Sequence, residues 1–117
     1  MGQKDREIRD LFEISPIITA VKDDWGVSRA VETESPVVFV LYGTICTIGD
    51  IVQRLKDHGK IAIVHADLIS GLSTKEVVVD FIHQNTKADG IISTKSSIVK
   101  RAMELGMIAG KRTFLID

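Results

Sequence analysis

The stretch Val37-Val38-Phe39-Val40-Leu41-Tyr42 decides the fold of this sequence. It is apolar at every position and rich in β-branched valine, and no polar side chains alternate with the apolar ones. A strand with this pattern is covered on both faces, as the strands of parallel sheets are. The stretch therefore predicts a central strand of a parallel sheet. Ser35-Pro36 before it ends the preceding helix, because a residue before proline disfavours the α-helical region.

Helix and strand patterns alternate on both sides of this strand. Ile48, Ile51, Val52 and Leu55 form one apolar stripe that Thr47 can cap, and Gly59 is placed to end the helix. The whole pattern predicts an amphipathic segment over 1–14, strands over 16–21, 37–42, 61–67, 88–93 and 107–117, and helices that begin near Asp23, Thr47, Ser73 and Ser96.

Two of the predicted helices have less regular apolar faces. In the helix that begins near Asp23, the apolar positions are Trp25, Ala30 and Val31. The helix after 73 is expected to start with a capping box of Ser73 and Glu76. Its expected buried face consists of Val77, Val78, Phe81 and Ile82. Cys46 is expected to be a small packed residue.

The alternation of short-linked strands and helices predicts right-handed βαβ units that share one parallel sheet. The chain has 117 residues, which suits a single domain. A complete eightfold βα barrel usually needs about 200 residues or more. Composition is that of a globular α/β protein, with 44% hydrophobic and 26% charged residues.

Charge and cysteine content narrow the classes of partner and compartment. The net charge is −1, so no global basic field attracts nucleic acid or an anionic membrane. Cys46 is the single cysteine, which excludes an intramolecular disulfide and fits a reducing compartment. The N-terminus has no apolar signal core, and the longest apolar run, 37–42, is far too short to span a bilayer. We therefore expect a cytoplasmic protein that does not associate with membranes.

Polar residues follow the predicted strands, where parallel α/β proteins bind their ligands. His65 and Asp67 are two apart on one predicted strand, so both could project the same way and form an acid/base pair, or be a buried pair satisfied by the backbone. Lys95 could bind phosphate, form a Schiff base or remain a solvated loop residue. Arg112 lies in an otherwise apolar strand and suits a planar anion.

No cofactor or metal is predicted, because dinucleotide-binding, P-loop and zinc-ligand spacings are absent from the sequence. Because the net charge is only −1, a nucleic-acid role would need a local basic patch. The densest basic stretch consists of Lys95, Lys100, Arg101, Lys111 and Arg112.

Three segments resemble the family of glycerol-3-phosphate-responsive antiterminators. They are HADLISGL at 65–72, ADGIISTK at 88–95 and RTFLID at 112–117, together with the turn DHGK at 57–60. The resemblance covers the chain from about Pro16 to Asp117, and HADLISGL is its most distinctive part.

The resemblance implies a TIM-type βα barrel and a bacterial transcription antitermination regulator of glycerol utilisation genes. It implies that the protein binds glycerol 3-phosphate and leader mRNA and is not an enzyme. Under this hypothesis the ligand-binding residues are His65, Asp67, Thr94, Lys95, Arg112 and Asp117, of which Lys95 and Arg112 suit the phosphate and His65 and Asp67 could hold the hydroxyls. The hypothesis assigns RNA binding to Lys100, Arg101 and Lys111.

The length departs from the family pattern, because family members continue well beyond the position of Asp117. We therefore expect residues 1–117 to be a single domain, the N-terminal portion of a TIM-type barrel truncated after about five strands. Exposed edges of such an open sheet favour a homo-oligomer. Two alternatives stay open at this point. One is a TIM-barrel enzyme of the aldolase or isomerase type that uses Lys95 and Asp67. The other is a truncated remnant that acts only as an interaction surface.

Overall fold

The computed structural model describes residues 18–71 and 75–111. Within them the strands are β1 Ile18–Val21, β2 Val37–Val40, β3 Ile61–His65, β4 Gly90–Ser93 and β5 Ile108–Lys111. The helices of these residues are α1 Asp24–Ala30, α2 Ile48–Asp57, α3 Val77–Asn85 and α4 Ser96–Glu104, and a 3-10 turn, Ala66–Leu68, follows β3.

The five described strands form one sheet in the order β1-β2-β3-β4-β5, and every neighbouring pair is parallel. Val38 of β2 lies opposite Ala62 of β3, and Val64 of β3 lies opposite Ile91 of β4. Each strand therefore pairs with the next one along the chain, and each crossover adds a strand on the same side. The predicted parallel α/β fold is confirmed.

All helices of the described residues pack on one face of the sheet. Their buried side chains belong to one apolar core with Val38, Val64 and Ile91. A second apolar cluster lies on the other face of the sheet. All of its buried residues belong to strands: Val37, Phe39, Ile63, Ile92 and Ile108. A doubly wound sheet carries helices on both faces, whereas TIM-type barrels carry them only outside. The one-sided helices of the described residues therefore exclude a doubly wound sheet over these residues and are compatible with units of a TIM-type barrel.

The deciding strand and the helix after it fold largely as predicted. Every residue of β2 is buried, in agreement with a strand covered on both faces. In α2, Ile48, Ile51, Val52 and Leu55 are buried as one stripe. Gly59 has a φ of 74°, which is the left-handed conformation that glycine adopts when it follows a helix.

Several local predictions were wrong. Trp25 is 68% exposed and Val77 is 62% exposed. The buried residues of α1 are Val27 and Ala30, so Trp25 lies on the opposite side of that helix. Helix α3 begins at Val77 and buries Val79 instead. Cys46 is exposed in the loop before α2 and does not pack in the core.

Thr47 is the N-cap residue of α2, as predicted, but its hydroxyl accepts from the backbone N–H of Thr44 at 2.9 Å and makes no capping bond to α2. The predicted capping box of α3 is only partly described. Glu76 stands immediately before α3 and makes no side-chain cap hydrogen bond. Ser73 lies outside the described residues, as do the predicted amphipathic segment over 1–14 and the strand positions beyond 111.

Within the described ranges, every helix is too short or too polar to cross a membrane.

Candidate ligand site at the carboxyl ends of the strands

The carboxylate of Asp67 links the turn after β3 to the end of β4. The Ser93 hydroxyl donates to Asp67 Oδ1 at 2.6 Å. The backbone N–H and the hydroxyl of Thr94 both donate to Asp67 Oδ2, at 2.8 and 2.6 Å. Three donors from two consecutive residues therefore hold one carboxylate and fix the exit of the chain from β4.

Hydrogen bonding determines the charge state of Asp67. Burial by itself would raise the pKa of this carboxyl, but the hydrogen bonds from Ser93 and Thr94 outweigh it, and His65 adds a smaller favourable charge interaction. The net result is that the pKa of Asp67 lies below its ordinary value. Asp67 is therefore a stable anion near neutral pH, which makes it a strong acceptor and a poor proton carrier.

Ser93 connects the Asp67 carboxylate to the start of the next helix. It is fully buried as the last residue of β4, and its Oγ accepts from the backbone N–H of Lys95 at 3.0 Å while its hydroxyl proton goes to Asp67. The sequence-based site did not include Ser93. Its signal was present, because it directly precedes Thr94 and Lys95 at a strand end, but its partner could not be identified without the register of β3 and β4.

The amino end of α4 presents an uncapped first turn beside an exposed cation. Lys95 is the N-cap residue, in extended backbone geometry, and makes no side-chain cap hydrogen bond. The first intrahelical bond runs from Val99 N–H to Lys95 O at 3.2 Å. The N–H groups before it have no intrahelical partner and carry the positive end of the helix dipole, which is the arrangement that binds phosphate. Lys95, Ser96 and Ser97 are all exposed.

His65 lies at the inner border of this site. It is the last residue of β3, is 1% exposed and stands opposite Ile92 of β4 in the sheet register. Strand alternation places it on the face of Ile63, on which no described helix packs. The predicted geometry of His65 and Asp67 as two positions of one strand was wrong, because β3 ends at His65 and Asp67 belongs to the 3-10 turn.

Neighbouring loops extend the polar rim towards β1. The Tyr42 hydroxyl donates to Asp24 Oδ1 at 2.5 Å, and burial together with this carboxylate raises the pKa of Tyr42. The loops after β2 and β3 are joined by Ile45 N–H to Ser70 O at 2.9 Å and Ser70 N–H to Gly43 O at 3.0 Å. These contacts connect the ends of β1, β2 and β3.

The remaining residues predicted for the site divide into two groups. Arg112 and Asp117 lie outside the described residues. Of the RNA-binding candidates, Lys100 is exposed on α4, and Lys111 ends β5 opposite Ser93. Arg101 is engaged within the chain, because it bonds Asp80 of α3 at 2.7 Å and Glu104 at 3.1 Å. The Arg101 guanidinium lowers the pKa of Asp80.

Within residues 18–71 and 75–111, no group of three or more His, Cys, Asp or Glu side chains is arranged so that it could hold a metal ion.

The fold and this rim define a class: proteins built from successive βα units whose polar residues collect at the carboxyl ends of the strands. The family model described as glycerol-3-phosphate responsive antiterminator matches residues 17–117. The chain belongs to that family.

One curated relative and two solved structures are similar to this chain. The chain is 46% identical over 107 residues to the uncharacterized protein YgcP of Escherichia coli K12, covering 92% of this chain and 56% of that protein. The structure of the glycerol uptake operon antiterminator regulatory protein of Listeria monocytogenes matches with a TM-score of 0.78 at 26% identity, over 81% of this chain and 51% of that one. A glycerol uptake operon antiterminator-related protein of Thermotoga maritima matches with a TM-score of 0.72 at 30% identity, over 81% of this chain and 53% of that one. The chain thus spans about half the length of these proteins.

Proposed function

We propose that this chain belongs to a transcription antitermination regulator of glycerol utilisation genes, in which glycerol 3-phosphate is the effector and leader mRNA is the partner. The family match over residues 17–117 is the observation that carries the proposal. The βα order of the described residues supports it, since the carboxyl ends of such strands are where barrels of this type bind ligands. We infer that the strands belong to a TIM-type barrel.

The phosphate of the effector is proposed to bind at the amino end of α4. Two features support this position: the uncapped first turn of the helix and the exposed ammonium of Lys95. Asp67 acts as a positioning residue there, because its carboxylate holds the Ser93 and Thr94 turn from which α4 starts. The roles of His65 and Asp67 at the glycerol hydroxyls, of Arg112 at the phosphate and of Thr94 and Asp117 as further ligand-site residues remain predictions.

Isothermal titration calorimetry of the 117-residue chain with glycerol 3-phosphate tests this site. We expect binding that glycerol alone reproduces much less well. Lys95→Ala should weaken it about tenfold or more, since a hydrogen bond to a charged group contributes about 1.5–3 kcal/mol. Lys87→Ala is the matched control, because Lys87 is also an exposed lysine but precedes β4 rather than following it. Equal affinities of the wild type and Lys95→Ala would refute the proposed position.

The RNA partner is proposed to contact the basic side chains near the end of β5 and on α4. Lys100 and Lys111 carry this role better than Arg101, whose guanidinium is bonded to Asp80 and Glu104. Binding to a leader RNA should weaken as salt increases, and each phosphate contact removed by Lys100→Ala or Lys111→Ala should reduce the slope of log affinity against log salt by about 0.7–0.9. An unchanged slope in both variants would remove this assignment.

An enzymatic role for Lys95 and Asp67 has no structural support. Schiff-base lysines are activated by apolar burial or a cationic neighbour, whereas Lys95 is exposed. A general base needs a pKa near the working pH, whereas hydrogen bonds lower the pKa of Asp67. Borohydride trapping of a carbonyl adduct at Lys95 would revive the aldolase hypothesis.

The homo-oligomer remains a prediction. Strands β1 and β5 are the outer strands of the described sheet, and exposed strand edges favour association. Light scattering that shows a monomer at micromolar concentration would count against it.

A further inference from the structure

The outer face of α1 carries an unusual pair of side chains that the proposed effector site does not use. Trp25 is 68% exposed, and it is the single tryptophan of the sequence. The guanidinium carbon of Arg29 lies 4.8 Å from the centroid of its ring. The cation over one face of the indole restrains the ring and leaves the other face available.

A second guanidinium group is brought to the same face. Ser28 and Arg29 are three and four residues after Trp25, so all three lie on one side of α1. The Ser28 hydroxyl accepts from Arg54 of α2 at 2.6 Å. The exposed indole ring of Trp25 therefore lies on the same face as the guanidinium groups of Arg29 and Arg54. Guanidinium groups are planar hydrogen-bond donors that bind phosphate.

The acidic residues near Trp25 are held at the start of the helix. Asp23 caps α1 by accepting from the backbone N–H of Gly26 at 2.7 Å. Asp24 accepts from the hydroxyl of Tyr42 at 2.5 Å. Both carboxylates therefore lie at the start of α1 and have hydrogen-bond partners, whereas Ser28 and Arg29 lie one turn further along.

We propose that Trp25 and Arg29 form a stacking platform for an unpaired base of single-stranded RNA, with Arg29 and Arg54 contacting the adjacent phosphates. The inference rests on the proposed function and names a further contact surface for the same class of partner. Proteins bind unpaired bases by stacking them on aromatic rings beside positive charge.

The surroundings of Trp25 favour RNA over a protein partner. Protein-binding sites present contiguous apolar patches. The other exposed large apolar residues of the described chain are on different elements: Ile45, Leu68, Val77 and Met103. The exposed neighbours of Trp25 along the chain are polar, namely Lys22, Asp23, Asp24 and Arg29. One ring among charged groups suits one base and its phosphates better than an apolar interface.

The position of this platform also suits a regulator. Helix α1 starts three residues after Val21 ends β1, so Trp25 lies at the rim that also holds Asp67 and Lys95. Lys100 and Lys111 lie with α4 and β5, at the opposite end of the strand order. An RNA strand that contacts both regions would run past the proposed effector site.

Titration with a single-stranded oligoadenylate tests the platform, with two signals read in parallel. Anisotropy of a labelled oligonucleotide reports binding, and the fluorescence of the single tryptophan, read with unlabelled oligonucleotide, reports contact at Trp25. We expect quenching of Trp25 together with a rise in anisotropy. Trp25→Ala should weaken binding about tenfold, Trp25→Phe should retain most of the affinity, and Arg29→Ala should reduce the salt slope by about 0.7. Val77→Ala, which truncates a similarly exposed apolar residue on α3, should bind as the wild type does.

Different failures have different meanings. A rise in anisotropy without tryptophan quenching, with Trp25→Ala binding normally, would overturn the platform and leave the RNA-binding function intact. Absence of binding to both oligoadenylate and a leader RNA would overturn the RNA part of the proposed function and the platform with it. Without RNA, the tryptophan emission could shift as the protein concentration rises, together with an increase in the molecular mass in solution. That result would identify Trp25 as part of an interface between copies of the chain and would overturn the platform.

Discussion

The two ends of the sheet hold charged side chains in opposite ways. At the amino-terminal rim, defined by Lys56, Lys60 and Asp89, the charges are turned inwards. Asp89 is 8% exposed and accepts from Lys56 Nζ at 2.7 Å and from the backbone N–H of Ala62 at 2.9 Å. Lys60 is 7% exposed and donates to the carbonyls of Thr33 at 2.6 Å and Ser35 at 2.9 Å.

The carboxyl rim, defined by Asp67, Ser93, Thr94 and Lys95, has a similarly dense network with a different outcome. Its hydrogen bonds run from Asp67 through Ser93 to the backbone N–H of Lys95. The Lys95 side chain is exposed, and the first turn of α4 that follows it has no side-chain cap. Barrel proteins place function at the carboxyl ends of their strands and stability at the amino ends. We therefore expect substitutions at the amino-terminal rim to change stability and those at the carboxyl rim to change ligand binding.

The largest effect is expected for Gly90→Ala, at the amino end of β4. A Cβ there would lie 2.6 Å from the carbonyl oxygen of Ile108 and 2.7 Å from its Cβ, so the backbone of β5 would have to move. We expect a loss of about 3 kcal/mol or more in the free energy of unfolding, measured with urea. In the control Gly110→Ala the new Cβ would make an ordinary contact of 3.7 Å with Ile92, so its loss should be much smaller. Equal stability of the two variants would contradict the packing of β4 against β5.

Asp89→Ala should have the next largest effect on stability. It removes the acceptor for the backbone N–H of Ala62 and the carboxylate beside Lys56. Loss of one partner of a partly buried charged pair, together with an unsatisfied buried N–H, should cost about 2–3 kcal/mol. Asp57→Ala, at an exposed carboxylate of α2, is the control. The affinity of the folded protein for glycerol 3-phosphate should not change, and a selective loss of affinity would break the distinction between the rims.

Asp67→Asn should have the opposite combination of effects from Asp89→Ala. We expect a smaller loss of stability, about 1 kcal/mol, and a clear loss of glycerol 3-phosphate affinity. The pKa of Asp67 is lower in the folded protein, so the folded state gains stability from this group above its unfolded-state pKa of about 3.9. That gain is lost as the pH falls through the folded-state pKa. The stability difference between wild type and variant, from urea unfolding, should therefore be constant near neutral pH and shrink below about pH 4. A difference that grows on acidification would contradict the proposed hydrogen bonding.

The parts of the fold that were predictable depend on strong local patterns. The unbroken apolar run at 37–42 and the periodic apolar stripe of α2 are strong enough patterns to define their elements from sequence alone. The faces of α1 and α3 were harder to predict. These helices have seven and nine residues, and a shift in the start of the helix changes which valine is buried. Trp25 was assigned inwards because it is apolar, but the position of Val27 and Ala30 decides the buried side of α1.

The candidate site was partly predictable for a similar reason. Residues that follow parallel strands could be collected from the sequence, so Asp67, Thr94 and Lys95 were expected at the same rim, where the structure places them. The hydrogen bonds between them depend on the register of β3 and β4, where His65 lies opposite Ile92. No local pattern specifies that register. Ser93 as the link to Asp67, and the pairing of Asp89 with Lys56, therefore required the structure.

Backbone amide chemical shifts recorded by NMR during titration with glycerol 3-phosphate test the central claim most directly. We expect the largest changes in the amides of Thr94, Lys95, Ser96 and Ser97, with little change in Lys60, Ala62 and Asp89. Changes centred on the amino-terminal rim, or none at saturating ligand, would contradict a glycerol 3-phosphate site at the start of α4.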